Sequence, residues 1–495
     1  MKQTNFEFDA AAFRIELMNL PDTAAWDTLD PPKLTEIHVP PMHIKALLPD
    51  VSIVEGMRGA GKSFWTAVLF DDKARKFVSG AAKISGLSSL IVRVGFGLDL
   101  SNEQFPNAKR IASLMQKACA PDDIWRGVLI RHALKALDKS LPFDDSVDAA
   151  AQWVRDHHDE ADDLLTECDR ELAKQGKTLL LLFDSLERLS DDWGRIREIL
   201  SAALRLCLEC RTRRTIRFKF FLRPDMVEEE DEIWRFADSS KLLHAKVELK
   251  WNPNDLFGLV LLHLANSTEL GPAFRQAVQE RTAIPWQAID GIFLLPHALT
   301  GSERPLRAII EAITGEWVGI NAKRGYTYTW IPTHLADAKG RLSPRSILLA
   351  FKRSAEWTSE RHSEHKNALH YEGIHQGVAE ASNIRIREIK EDYPWVGPLL
   401  TALKGVTVPL KFEELTERWT KEVIQESLAE AQRNQRLPPR RYSSDPPRKG
   451  TPEALVDDLI ELAVLYRTED NRYNMPDIFR VGFGIKRKGG VRPPR

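Results

Sequence analysis

Cysteine is scarce, with four in 495 residues. That density is far below the level of a disulfide scaffold and excludes a small cross-linked secreted fold. Cys207 and Cys210 form one C-x-x-C, but it lies in a helical pattern and no second pair accompanies it. Buried thiols are therefore expected there rather than a metal or redox site. Long hydrophobic runs are also missing: none approaches the roughly 18 residues needed to cross a bilayer. Residues 1–11 are polar and acidic, without the apolar segment of a secretion signal. The expectation is a cytoplasmic protein with no membrane partner. A dominant sign of charge is lacking too. Seventy Lys and Arg face 71 Asp and Glu, a net charge of −1 that exerts no global pull on nucleic acid. No repeat occurs at solenoid spacing.

What charge there is lies unevenly. Residues 144–163 are rich in acids and read as a solvated helical face or loop. Residues 431–495 hold fourteen Lys or Arg against eight Asp or Glu. The last fifteen residues carry Lys486, Arg487, Lys488, Arg492 and Arg495 with no acid. Such a tail can meet phosphates, or stand as a solvated end. Apolar content of 43% and charged content of 28% are those of a globular protein. The length suggests roughly two to four domains.

The most specific feature follows a short apolar run at 51–54. It reads Gly56-Met57-Arg58-Gly59-Ala60-Gly61-Lys62-Ser63, and a helix-like run opens at Phe64. This is G-x-x-x-x-G-K-[ST] in its required order of strand, turn and helix. Glycines let the backbone wrap phosphates without Cβ clashes, and the helix N-terminus offers N–H groups and a positive dipole end. Lys62 would reach the β- and γ-phosphates, and Ser63 would hold Mg²⁺. Residues 56–64 as a whole are assigned to nucleotide binding.

A second feature is the run Lys-Thr-Leu-Leu-Leu-Leu-Phe at 177–183, which meets Asp184. Continuous apolarity fits a strand buried on both faces of a parallel sheet. A carboxylate at its carboxyl end stands where open α/β sheets bind ligands, placed to organise Mg²⁺. The plainer alternative is a capping Asp, since Asp184 and Ser185 both start helices well. The two features together imply an α/β P-loop NTPase core with a central, mainly parallel sheet; the helical pattern after residue 251 adds a helical lid, and helices followed by a small hairpin add a C-terminal winged helix.

The expected division is a lead-in segment at 1–50, the ATPase core at 51–250, the lid at 251–380, and the winged helix with its basic tail at 381–495. The lead-in holds a short helix at 13–20 and an extended Pro-containing stretch at 31–49. Core strands are expected at 51–54, 89–94, 178–183, 216–222 and 243–249. Core helices are expected from 64 to about 76 and at 108–118, 124–137, 149–174 and 192–212. Lid helices are expected at 256–265, 273–279, 289–294, 305–313 and 346–357. The last part reads as helices at 396–403, 412–431 and 452–462, a Pro- and Arg-rich loop at 437–450, and a hairpin of 464–467 with 472–475.

Several further residues are candidates for chemistry. Glu187 enters the site if the chain turns sharply after Asp184, and otherwise caps or pairs with Arg188. Arg223 ends a strand beside the nucleotide strand and could sense the γ-phosphate, or be a surface Arg next to Pro224. Arg235 is placed for a neighbouring subunit, with Arg211, Arg213 and Arg214 as rivals. In the lid, Gly301-Ser302-Glu303-Arg304 offers Arg304, with Arg307 one turn on, and Pro344-Arg345 offers Arg345 as the alternative. His362, His365, His370 and His375 cluster with Glu364. Their order is not H-E-x-x-H, so a solvated polar helix is expected rather than a metal site.

These segments carry a resemblance. The loop at 56–63, Phe183-Asp184-Ser185-Leu186-Glu187-Arg188-Leu189, Phe221-Leu222-Arg223-Pro224-Asp225 and Trp251-Asn252-Pro253-Asn254-Asp255-Leu256 resemble the STAND and AAA+-related branch of P-loop ATPases. The C-terminal hairpin is similar to the winged helices that bacterial members carry. The usual AAA+ site has Glu directly after the metal Asp, where this chain has Ser185, and that departure bears on the speed of hydrolysis. The resemblance implies an ATP-driven switch that assembles with itself or with an effector protein, in the manner of bacterial anti-phage systems. The alternative it leaves is a DNA-associated ATPase, a loader or regulator, using the winged helix and the basic end. No guanine-selective Asn-Lys-x-Asp is present, so ATP with Mg²⁺ is expected.

Overall fold

The computed structural model describes residues 8–21, 29–97, 103–228, 232–444 and 447–488. The chain forms two compact units. One consists of residues 25–33 and 39–249, the other of 1–24, 34–38 and 250–495.

The first unit is built on five parallel strands: β1 (Ile53–Glu55), β2 (Leu90–Phe96), β3 (Thr178–Phe183), β4 (Ile216–Leu222) and β5 (Val247–Glu248). Their order is β2-β3-β4-β1-β5. The apolar run of β3 is buried on both faces, as parallel strands under helices require. Phe183 stacks on Phe220 at 4.6 Å between ring centroids and meets the edge of Trp125 at 5.4 Å. It also lies over Gly95, where any Cβ would come within 2.5 Å of its ring. Gly95 interrupts the β2–β3 register, and beyond it the Phe96 carbonyl accepts the Asp184 N–H at 2.9 Å.

Lys219 of β4 is fully buried and donates to the carbonyls of Ala46, Leu48 and Val51 at 2.6–2.9 Å. It closes the end of the helix Pro41–Leu47 against the sheet. That helix replaces part of the extended stretch expected at 31–49. Pro41 stands at its first position, where a missing N–H costs nothing.

Other boundaries shift for local reasons. The helix expected from 64 to 76 breaks at Asp71, whose side chain caps the next helix by accepting the Ala74 N–H at 2.7 Å. The helix expected at 149–174 divides at His157, whose ring stacks on Trp153. The strand expected at 243–249 shortens to β5.

In the second unit the helix expected at 289–294 is instead a hairpin, Gln287–Ile289 with Ile292–Leu294. Asp290 and Gly291 both take positive φ there, the turn that Asp-Gly favours. The span 412–431 breaks at Thr420, which caps Lys421–Arg433, and the expected loop 437–450 includes the short helix Arg440–Ser444. The dominant packing is between Pro344–Arg361 and Tyr371–Asp392, the latter not anticipated as an element of its own. Gly373 and Gly377 face the partner helix so closely that a Cβ would stand 2.5 Å from Thr358 Oγ1 and 2.2 Å from the Ala350 carbonyl. The N-terminal helix Ala10–Met18 belongs to this unit. Its Arg14, 4% exposed, donates to the carbonyls of Ser363, His365, Asn367 and Ala368 at 2.7–3.3 Å.

Near the C-terminus, the helices Phe412–Thr416, Lys421–Arg433 and Pro452–Glu461 precede a hairpin of Tyr466–Arg467 with Tyr473–Asn474, and Leu410 bridges to Tyr473. The basic residues here are largely paired with acids. Arg433 meets Glu426 and Glu430, Arg440 and Arg441 meet Glu461, Arg448 meets Asp457, Arg472 meets Asp470, and Arg480 and Arg487 meet Asp477. Lys486–Arg487 forms a short strand against Thr407–Val408 rather than a loose tail. Arg492 and Arg495 lie outside the described residues. Among the described residues no helix is long and apolar enough to cross a membrane.

Candidate functional site

The site grows from the C-terminal ends of β1, β3 and β4. After β1 the chain turns through Gly59 and Gly61, with φ of 79° and 101°. A Cβ at Gly61 would find no atom closer than 3.9 Å. Backbone conformation, not space, demands glycine there. The Ala60 N–H closes a turn on the Met57 carbonyl at 3.1 Å, and the helix Lys62–Phe70 follows. It is anchored by Trp65, fully buried, whose indole donates to His43 Nδ1 at 3.2 Å. Phe64 packs edge-on against Trp65 and is likewise buried. Met57 is buried; Arg58 is half-exposed.

Lys62 curls back over the loop and donates to the carbonyls of Gly56 and Met57 at 2.6 and 3.1 Å. A Cβ on Gly56 would press on the Lys62 stem at 3.1 Å, which gives that glycine its steric reason. Asp184, 3% exposed, stands at the end of β3. Burial pushes its carboxyl up from 3.8 to about 6, against the charge of Lys62 and a hydrogen bond from the Ser63 hydroxyl, which hold it down. Lys62, Ser63 and Asp184 are thereby brought together. Ser63 and Asp184 supply the hydroxyl and carboxylate oxygens that suit Mg²⁺. The core is a P-loop nucleotide-binding fold.

No family model and no curated protein matches the chain. Among solved structures, the chain is similar to the Aeropyrum pernix ORC2 protein in its ADPNP–ADP complexes, at 14% identity over 97% of this chain and 93% of that one, with a TM-score of 0.36. It is also similar to Cdc6p from Pyrobaculum aerophilum, at 14% identity over 87% and 84%, with a TM-score of 0.29. The Walker-type ATPase paby2304 of Pyrococcus abyssi matches at 12% identity over 92% and 99%, with a TM-score of 0.37. Identities and scores this low leave the chemistry to be argued from the P-loop's own surroundings.

Around the P-loop, Ser185 adopts φ +57°, a left-handed conformation that turns the chain sharply after Asp184. The 3-10 turn Leu186–Arg188 follows. Of the two courses open in the sequence, the chain takes the one that brings Glu187 inward. Its charge raises the Asp184 pKa, and its Oε1 lies 3.9 Å from Arg223 Nη1. Arg223 arrives there because β4 lies between β1 and β3, so its end falls between the P-loop and Asp184. It is 6% exposed and thus not a surface Arg.

Asp225 was not anticipated. The 3-10 turn Pro224–Met226 folds it back so that its carboxylate takes Arg223 Nε at 3.3 Å and Nη2 at 3.0 Å. The available signal was the Arg-Pro-Asp triplet directly after an apolar strand. Both partners are almost wholly buried, at 6% and 5% exposure. Removing one partner of such a pair typically costs about 3–5 kcal/mol. Asp225→Ala should lower stability on that scale in chemical denaturation, with Asp225→Asn milder. Equal stability of Asp225→Ala and the parent would dismiss the clamp.

Arg235 is exposed and pairs with Glu232 at 3.2 Å. Arg211 donates to the Lys241 carbonyl and Arg213 to Thr166 Oγ1, while the Arg214 N–H bonds Asp169. Arg304 and Arg345 belong to the second unit. Arg304 is exposed near the start of Glu303–Thr314, Arg307 pairs with Glu311 at 2.7 Å, and Arg345 pairs with Glu388 at 2.6 Å. Cys207 and Cys210 are buried, their thiols pushed up to about 11 and about 12 by desolvation.

Proposed function

We propose that the chain binds ATP with Mg²⁺ on residues 56–64 and hydrolyses it as an AAA+-type ATPase. The observation that carries this reading is the gathering of Lys62, Ser63 and Glu187 around one buried carboxylate, Asp184, with Arg223 set against Glu187. Mg²⁺, when bound, would supply positive charge against that of the phosphates. Ser63 and Asp184 are the residues to hold it. Lys62 is positioned to exchange its two loop carbonyls for phosphate oxygens. Glu187, partly open to solvent, is the group to orient a water and take its proton. Arg223, clamped by Asp225, meets the charge that develops.

Turnover is read as setting a switch that assembles with itself or with an effector protein, and the STAND-like motifs extend this to a role in anti-phage defence. Arg235 is offered to a neighbouring subunit, and Arg304 or Arg345 to the nucleotide from the lid. The DNA-associated alternative, through the winged helix and basic end, is less supported. Seven of the C-terminal arginines are engaged by acids, and each would have to leave its carboxylate to reach a phosphate.

Glu187→Gln tests the chemistry apart from binding. Steady-state turnover should fall roughly 100-fold or more, the scale of a lost general base, while nucleotide affinity is kept. Unchanged turnover would remove Glu187 from the mechanism.

A further inference from the structure

The histidine cluster does not lie on one helix. His362 ends Pro344–Arg361, His370 caps Tyr371–Asp392, and the loop between them folds one onto the other. Their imidazoles stack at 3.8 Å between centroids, 18° from parallel. The carboxylate that joins them is Glu372, not Glu364. Its Oε2 lies 3.4 Å from His362 Nε2 and 3.9 Å from His370 Nδ1. One ligand atom from each of the three residues falls within a 4.8 Å span. His375 is elsewhere, with Nε2 at 3.0 Å from the Val318 carbonyl.

We propose that His362, His370 and Glu372 form a binding site for a zinc-type divalent transition-metal ion, separate from the nucleotide site. Two imidazoles and a carboxylate are a donor set that suits such an ion. With bonds of about 2.0–2.1 Å, ligand atoms around a four-coordinate centre stand roughly 3.4 Å apart. The His362–Glu372 separation of 3.4 Å is already at that value and the His370–Glu372 separation of 3.9 Å is close to it, and the two stacked rings must turn out of their parallel arrangement to aim both nitrogens at one ion.

The loop is held for the purpose. Arg14 binds four of its carbonyls, the His370 N–H donates to Thr358 Oγ1 at 3.0 Å, and Asn367 Nδ2 donates to the Ala312 carbonyl at 2.9 Å. Trp357 walls one side, 5.3 Å from the His362 ring, and His365 stands edge-on to His370 at 4.8 Å. His370 Nδ1 also accepts the Glu372 N–H at 3.3 Å as a helix cap, a long bond that ligation through this nitrogen would replace. Bound metal would tie the end of one helix to the start of the next.

The test uses the full chain, stripped with chelator and then titrated calorimetrically with Zn²⁺ in excess Mg²⁺, with Co²⁺ absorbance as a second readout. One Zn²⁺ per chain is expected, together with a tetrahedral Co²⁺ spectrum. His362→Ala and Glu372→Gln should each weaken binding by more than the roughly 10–100-fold seen for residues that only support a ligand. Glu372 is 50% exposed on its side chain, so its variant keeps the comparison valid if His362→Ala does not fold. No Zn²⁺ uptake by the parent, or equal uptake by a folded variant, overturns the site.

Discussion

Lys62→Ala should abolish nucleotide binding. The ammonium already sits on two carbonyls of the P-loop, at 2.6 and 3.1 Å, so it needs little reorganisation to reach phosphate oxygens. A hydrogen bond from a charged donor contributes about 1.5–3 kcal/mol. Two of them amount to at least about 3 kcal/mol, roughly 100-fold in Kd. The true loss should be larger, because Lys62 also holds down the Asp184 pKa. Without it the carboxyl rises further and its oxygens become poorer metal ligands near neutrality. Titration with a fluorescent ATP analogue in Mg²⁺ measures the effect, and an affinity equal to the parent's would sink the assignment of the P-loop.

Asp184→Asn should do two opposite things: remove turnover and make the nucleotide-free protein more stable. The folded pKa is raised from 3.8 to about 6 by burial. Such a group favours folding while protonated, below about pH 4. That contribution is lost as pH rises through about 6, where the ionised carboxylate is held in a dry site. The gap corresponds to about 3 kcal/mol at pH 7. Asparagine keeps the shape without the charge. In chelator at pH 7 the variant's melting midpoint should therefore rise by several degrees, and the advantage should vanish near pH 4. Addition of Mg²⁺ and ATP should stabilise the parent and not the variant. A variant less stable than the parent at pH 7 would mean that Asp184 is not ionised against its surroundings.

Much of this site was legible because its parts are local. The P-loop is eight consecutive residues whose glycines answer to backbone angles, and β3 is a run whose apolarity on both faces leaves few alternatives. Its bounds, Thr178–Phe183, and those of β4, Ile216–Leu222, agree with the reading of the sequence. What could not be read depended on contacts distant in sequence. Asp225 acts by folding back onto Arg223, and nothing in its immediate sequence demands that. The turn of Glu187 into the site rests on Ser185 adopting a left-handed conformation, which a serine rarely takes. The hairpin at Gln287–Leu294, read as a helix, is a different kind of error. Asp290-Gly291 is a strong turn signal that the apolar residues around it outweighed. The histidine cluster was read as one polar helix, but its members span the end of one helix, a loop and the start of the next, and spacing along a chain says little about residues brought together by a reversal.

The bare backbone at Gly373 and Gly377 has a mechanical consequence. With atoms of Ala350 and Thr358 standing where a side chain would be, the two helices cannot slip past one another by a residue without collision. Any rearrangement in this part of the molecule must carry them as a single stiff beam, with the bending left to the segments at its ends.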